Sequence, residues 1–148
     1  MSISFVLGNG TSRTAVGCPK LKEHGIVYGC NAVYRDFIPD KLISVDYRMI
    51  KEVIRNKIPQ QCEFWTNYNA AFEQYPNLNM INPSKGWSSG PTALWLAANE
   101  KPQEIYILGF DYSGIGKFVN NVYAGTTNYK KKTDTATFYG NCLRKLKQ

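Results

Sequence analysis

The chain has 148 residues, of which 43% are hydrophobic, 20% charged and 14% aromatic, with a formal net charge of +7. That length fits one domain with a proper core, and the composition excludes a disordered, collagen-like or disulfide-built protein. No apolar run approaches the ~20 residues needed to cross a bilayer, and the basic excess favours anionic partners: nucleotides, phosphorylated small molecules or nucleic acid.

Met1-Ser2-Ile3-Ser4-Phe5-Val6-Leu7 has no basic leader and runs directly into Gly8-Asn9-Gly10. Ile3–Leu7 therefore reads as a buried first strand with a tight turn after it, not as a secretory signal, and a cytoplasmic protein is expected. Thr11 and Ser12 cap a short helical turn that Gly17 and Pro19 end. Gly25-Ile26-Val27-Tyr28-Gly29-Cys30 reads as the second strand, and Leu42-Ile43-Ser44-Val45 as the third, stopping at Asp46. Over residues 47–57, Ile50, Val53 and Ile54, with Ile58 just beyond, recur at helical spacing and predict an amphipathic helix. Glu63-Phe64-Trp65-Thr66 is a fourth strand. Residues 67–85, rich in Asn and Pro, read as an irregular connection.

Ser88-Ser89-Gly90-Pro91 then opens a helix to about Asn99, with Ser as N-cap and Pro in the first turn. Its face of Ala93, Leu94, Leu96, Ala97 and Ala98 is small and apolar enough to lie flat on a sheet. Glu104–Leu108 is the next strand, followed by Gly109-Phe110-Asp111-Tyr112. Residues 113–132 form a Gly/Asn/Lys loop, and Thr133 and Asp134 cap a last helix reaching Lys147.

Strands alternating with helices predict a single Rossmann-like three-layer α/β domain over residues 1–148, with a mostly parallel sheet. In such sheets ligands bind outside the carboxyl ends of the strands. The residues that follow each strand are then the candidate site: Gly8, Asn9, Gly10, Thr11 and Ser12; Cys30 and Asn31; Asp46; Ser88, Ser89 and Gly90 before the long helix; and Gly109, Asp111 and Tyr112. Each has a plainer alternative. Gly8-Asn9-Gly10 either brings backbone amides to an anion or is only a turn. Ser89-Gly90 either seats a phosphate at a helix start or only caps the helix. Asn31 and Asp111 either hold a base or ribose or close a turn.

The four cysteines, Cys18, Cys30, Cys62 and Cys142, form no C-x-x-C pair, and the single histidine, His24, completes no zinc cluster of usual spacing. Reduced, buried thiols and no metal are expected. Lys130-Lys131-Lys132 and Arg144-Lys145-Leu146-Lys147 read equally as a solvated basic tail or as ligand-facing charge.

Four blocks carry a resemblance: Leu7-Gly8-Asn9-Gly10-Thr11-Ser12, Cys30-Asn31, Ser88-Ser89-Gly90 leading an Ala-rich helix, and Glu104–Leu108 with Gly109-Phe110-Asp111-Tyr112. Their order is similar to that of the bacterial sialyltransferases that use CMP-linked sialic acid, and of wider families with the same Gly-Asn-Gly-x-Ser opening, including pterin-diphosphokinase-like proteins. The resemblance implies a CMP-like nucleotide or nucleotide sugar as ligand. It places Gly8, Asn9, Asn31, Ser89 and Gly90 on the cytidine and ribose and Tyr112 on the phosphate; Asp46 stands where the family has an amide, and since a carboxylate beside a phosphate would repel it, Asp46 is expected to meet a ribose or a base amino group. The family's catalytic histidine has no counterpart: the aligned position falls on Tyr129 or Lys130. The family also continues with a further strand and a closing region, which this chain is expected to lack.

Three functions follow as expectations. The first is a compact nucleotide-sugar or other group transferase, with Asn31, Asp46, Ser89 and Asp111 placing the ligand and Tyr112, Tyr129 and Lys130 at the phosphate. Here Tyr129 or Lys130 stands in for the histidine, and the loop of residues 113–132 orders over the donor. The second is a non-catalytic binder that sequesters a nucleotide-derived signal, a form that compact phage-encoded derivatives of enzyme folds take. The third, ranked last, is a nucleic-acid-binding module, since no RNP-like or helix-turn-helix pattern appears. An exposed sheet edge makes a homo-oligomer a further expectation.

Overall fold

Ile3–Leu7 (β1), Ile26–Cys30 (β2), Lys41–Ile43 (β3), Glu63–Asn67 (β4), Leu78–Ile81 (β5) and Glu104–Leu108 (β6) form one six-stranded sheet in a computed structural model that describes residues 2–112 and 118–131. Every pairing is parallel, in the order β5-β4-β3-β2-β1-β6. Two α-helices, Tyr47–Arg55 (α1) and Ser89–Asn99 (α2), and a series of short 3-10 turns cover it. The described residues thus have the Rossmann-like α/β architecture that the alternating pattern predicts, with a sheet parallel throughout. The expected helix from Thr133 to Lys147 lies outside the described residues.

Side chains alternate across each strand, so each strand feeds two cores. On one face Val6, Tyr28, Cys30 and Ile43 pack against Ala93, Leu96 and Ala97 of α2. Ala93 and Ala97 are fully buried, and their small side chains let the helix lie close to the strands. On the other face Leu42 and Phe64 meet Met49, Ile50 and Val53 of α1. There Phe5, Leu7 and Val27 pack with Cys18, from the 3-10 turn Cys18–Glu23. Burial on both faces is why the central strands read as unbroken apolar runs. Each such Val, Leu or Phe contributes roughly 1.5–3 kcal/mol.

Among the strands and α-helices, three differences from the sequence reading exceed one residue at an end. β5 falls inside the stretch expected to be irregular: it is an edge strand with three of four side chains only partly buried, and its Asn79 donates to the Phe64 carbonyl at 3.1 Å. In this Asn- and Pro-rich stretch the strand is only four residues long with a single β-branched residue, Ile81, too little to announce it. α1 stops at Arg55, because Lys57 adopts a left-handed φ of 57°. The third strand begins at Lys41 and ends at Ile43, although the Ser44 N–H still donates to the Trp65 carbonyl at 3.1 Å.

The strand order fixes where a site can lie. From β1 the chain adds strands outward to β5, then α2 carries it back to place β6 on the far side of β1. That reversal opens a crevice at the carboxyl ends of β1 and β6.

Candidate functional site

The turns after β1 and β6 are pressed together backbone to backbone. The Gly8 N–H donates to the Leu108 carbonyl at 2.7 Å and the Gly10 N–H to the Gly109 carbonyl at 2.8 Å. A Cβ on Gly8 or Gly10 would stand 2.6 Å from the Gly109 oxygen, and one on Gly109, where φ is +74°, would stand 2.5 Å from the Gly8 oxygen. The glycines of Gly8-Asn9-Gly10 are therefore demanded by this seam. In place of the anion nest that the turn suggested, the Gly8 and Gly10 amides are committed to β6. Asn9 is similarly engaged: its Nδ2 donates to the Cys30 carbonyl at 3.0 Å, and its Oδ1 accepts from Arg13 at 3.3 Å.

Ser12 and Asp111 complete the seam. Both Asp111 carboxylate oxygens accept from Ser12, one from its hydroxyl and one from its N–H at 3.1 Å. Ser12 is thus a positioning residue that holds Asp111, one step back from the crevice.

At the ends of β2 and β3 a second set of polar groups meets. Asn31, at a left-handed φ of 52°, accepts with Oδ1 from the Ser44 hydroxyl at 2.8 Å and from the Ser89 hydroxyl at 3.0 Å. The Ser89 oxygen in turn accepts from the Val45 N–H at 3.1 Å. This knot ties the start of α2 to the sheet and leaves the Asn31 Nδ2 hydrogens without a partner among the described residues. Ser89 itself is buried, so its hydroxyl orients Asn31.

Both α-helices begin at the crevice. α1 makes its first helical bond from the Ile50 N–H to the Asp46 carbonyl at 2.9 Å, and α2 from the Thr92 N–H to the Ser88 carbonyl at 3.2 Å. Helix geometry leaves the preceding amides without an internal acceptor: Tyr47, Arg48 and Met49 in α1, and Ser89 and Gly90 in α2, where Pro91 has none to offer. Neither Asp46 nor Ser88 caps its helix with its side chain. Asp46 is exposed as a residue at the rim, yet the protein packed round its carboxyl raises its pKa above the ordinary 3.8 through desolvation.

The described part of the last loop, residues 118–131, folds over the crevice and is pinned from three sides. Asn120 Oδ1 accepts from the Thr11 N–H at 2.8 Å and hydroxyl at 2.9 Å, and the Val122 N–H donates to the Asn9 carbonyl at 2.8 Å. The Tyr129 hydroxyl accepts from the Ala32 N–H at 3.1 Å. Farther along, Arg35 pairs with Glu52 at 2.6 Å and donates to Thr126 and to the Thr127 carbonyl, each at 2.9 Å, while Asn128 donates to Glu52 at 3.2 Å. Desolvation pushes the Glu52 carboxyl upward, but hydrogen bonds from Arg35 and Tyr34 outweigh it and hold the pKa below its ordinary value. Buried Arg13 donates to the Tyr123 hydroxyl at 3.1 Å, and that hydroxyl donates to Asp36 at 2.5 Å.

These elements enclose a cavity of about 560 Å³. Of the residues singled out in the sequence, Gly8, Asn9, Gly10, Cys30, Asn31, Asp46, Ser88, Ser89, Gly90, Gly109, Asp111, Tyr112, Tyr129 and Lys130 line it, and Thr11 and Ser12 do not. Sequence reasoning missed Tyr47, Arg48, Asn120, Asn121 and Asn128. The first two lie in the opening turn of α1, where the rule for helix starts applied to Ser89 would have found them. The asparagines carried only a compositional signal. His24 lies at the amino end of β2, on the opposite edge of the sheet. Burial pushes the Tyr129 phenol above its ordinary value, so it is protonated at neutral pH, with its oxygen accepting from Ala32 and its O–H able to donate. Burial also pushes the Cys30 thiol up to about 12, which leaves it unreactive. Among the described residues no group of His, Cys, Asp and Glu could hold a metal, and no helix is long and apolar enough to cross a membrane. Comparison with protein-family models, curated proteins and solved structures found no match.

Proposed function

We propose that the chain binds a nucleotide in this cavity, with the phosphate at the start of α2 and the nucleoside toward Asn31. The observation that carries the reading is the convergence, at the sheet reversal, of donors uncommitted among the described residues: the opening amides of α1 and α2, Asn31 Nδ2 and the Tyr129 hydroxyl. Helix starts favour an anion through their amides and their dipoles, and Arg48 and Lys130 add full positive charge. Tyr47, Phe110 and Tyr112 supply aromatic faces for a base. A volume of about 560 Å³ lies within the ~300–1,000 Å³ of small-molecule pockets. The charged lining is balanced, Asp46 and Asp111 against Arg48 and Lys130. Such a wall suits one anionic group on a neutral polar body better than the phosphate track of a nucleic acid.

Cytidine nucleotides and nucleotide sugars stand first among ligands because the residues that resemble the sialyltransferases fall on this wall. Calorimetric titration with CMP, CDP and the other nucleoside monophosphates tests the reading. Arg48→Gln and Lys130→Gln, both exposed, are expected to weaken binding about tenfold each, the worth of one charge-assisted hydrogen bond, with melting unchanged. No binding of any nucleotide, or full affinity in both variants, would overturn it. Mass spectrometry of the small molecule that co-purifies separates its two forms. An unaltered nucleotide supports a sequestering protein; a nucleotide that has lost its substituent supports a transferase or hydrolase.

A further inference from the structure

We propose that Asp46 is the proton acceptor of a group-transfer or hydrolytic reaction on the bound nucleotide, an inference that rests on the nucleotide reading above. The cavity wall holds two carboxylates in opposite situations. Asp111 has both oxygens occupied by Ser12. Asp46 stands at the N-cap position of α1, where an aspartate ordinarily accepts from the second or third amide of the helix, but it makes no such bond and no ion pair among the described residues. A carboxylate that forgoes its cap at a cavity wall keeps both oxygens for something in the cavity.

The other groups there do not compete for the role. Tyr129 is protonated, with its oxygen already accepting from Ala32. Cys30 is a buried thiol. The remaining titratable or charged groups on the wall are Tyr47 and Arg48 from α1, Asp111 and Tyr112 from the turn after β6, and Lys130 from the loop; α2 contributes none. Desolvation raises Asp46 toward the range in which a carboxyl takes and returns a proton most readily.

The step balances without any redox partner. A hydroxyl, from water or an acceptor alcohol, attacks the carbon esterified to the nucleotide's phosphate. Its oxygen forms the new C–O bond, its proton passes to the Asp46 carboxylate, and the old C–O bond breaks with its electron pair going to the phosphate oxygen. Lys130 and the opening amides of α2 receive that charge. Asp46 then returns the proton to solvent.

The test uses the full chain with a panel of nucleotide sugars, CMP-linked sialic acid among them, scored for nucleotide release with and without a sugar acceptor. Binding of CMP is measured in parallel. For Asp46→Asn we expect CMP affinity within about threefold of wild type and turnover reduced at least 100-fold, the lower bound for a lost general base. The wild-type rate should rise with pH as Asp46 ionises and that limb should vanish in the variant, with partial recovery in Asp46→Glu. Turnover in Asp46→Asn within about tenfold of wild type, or a retained limb, would overturn the proposal. Wild type that binds CMP and turns over no member of the panel overturns it too, while leaving the nucleotide reading intact. A protein that binds no nucleotide removes both.

Discussion

Along the seam between β1 and β6, and in the loop pinned across it, polar groups are spent on one another; at the starts of α1 and α2 they are left over. Gly8 and Gly10 give their amides to β6, Asp111 gives both oxygens to Ser12, and Arg35 and Glu52 hold Thr126, Thr127 and Asn128 in place. Across the cavity, the amides of Arg48 and Gly90, the Asn31 Nδ2 and the Asp46 carboxylate have no such engagement among the described residues. The Gly-Asn-Gly turn has the look of a phosphate loop and does the work of a joint. The helix starts, with less of a signature, hold the free donors.

That contrast separates stability from binding, and the clamp on the loop should break it most visibly. Glu52 is nearly buried and Arg35 three-quarters so, and removing one partner leaves the other charge stranded. Arg35→Ala should cost about 3–5 kcal/mol in denaturant unfolding. Folding lowers the Glu52 carboxyl below its ordinary 4.5, so the pair's contribution is complete above that pH and is lost as the pH falls through the lowered value. In Glu52→Gln the added acid sensitivity below about pH 4.5 should disappear relative to wild type. A variant that tracks wild type across that window would argue that the clamp stabilises nothing.

The seam comes next. Gly8→Ala drives a methyl against the Gly109 oxygen and the Phe110 ring, at 2.6 and 2.7 Å, and neither side can yield without losing a backbone bond. Overpacking of this kind costs about 1–3 kcal/mol. Nucleotide affinity, measured below the melting transition, should barely change. A large affinity loss in a fully folded Gly8→Ala would return the turn to the ligand.

How far the sequence carried this reading depends on what each residue answers to. Alternation of apolar runs and helical periods follows from burial, which is local to each element, so β1, β2, β4, β6 and both helices were legible, as was the gathering of strand-end residues. β5 was not, because an edge strand needs only one good neighbour and Asn79 hides its pairing. The seam was illegible for a different reason. Gly8-Asn9-Gly10 and Gly109 are a hundred residues apart, and their backbone contact depends on strand order, which no local pattern states. Nothing local in the sequence marks Arg13, Arg35 and Glu52, because Tyr123, Thr126, Thr127 and Asn128, which they hold, lie far along the chain.

Ser89 belongs to both sides of the comparison. Its hydroxyl donates to Asn31 and accepts from Val45, while its amide opens α2. Ser89→Ala removes two hydrogen bonds and should cost about 1–2 kcal/mol of stability, at ~1 kcal/mol for each. Affinity should fall as well, through a loosened Asn31. Ser89→Thr, which keeps the hydroxyl, should restore both if its methyl is accommodated; recovery of stability without affinity would mean that Asn31 does not meet the ligand.

The smallest effect is expected at Ser12, which separates a residue in the wall from one behind it. Ser12→Ala takes one donor from Asp111 but leaves the backbone N–H on the other oxygen at 3.1 Å, and the site is exposed enough for water to replace the hydroxyl. Stability should change by less than about 1 kcal/mol, and affinity by less than the tenfold expected at Arg48 or Lys130. A Ser12→Ala loss as large as those would mean that the orientation of Asp111 is itself read by the ligand. The seam would then contribute a second carboxylate to recognition, and the division between spent and spare groups would fail at that residue first.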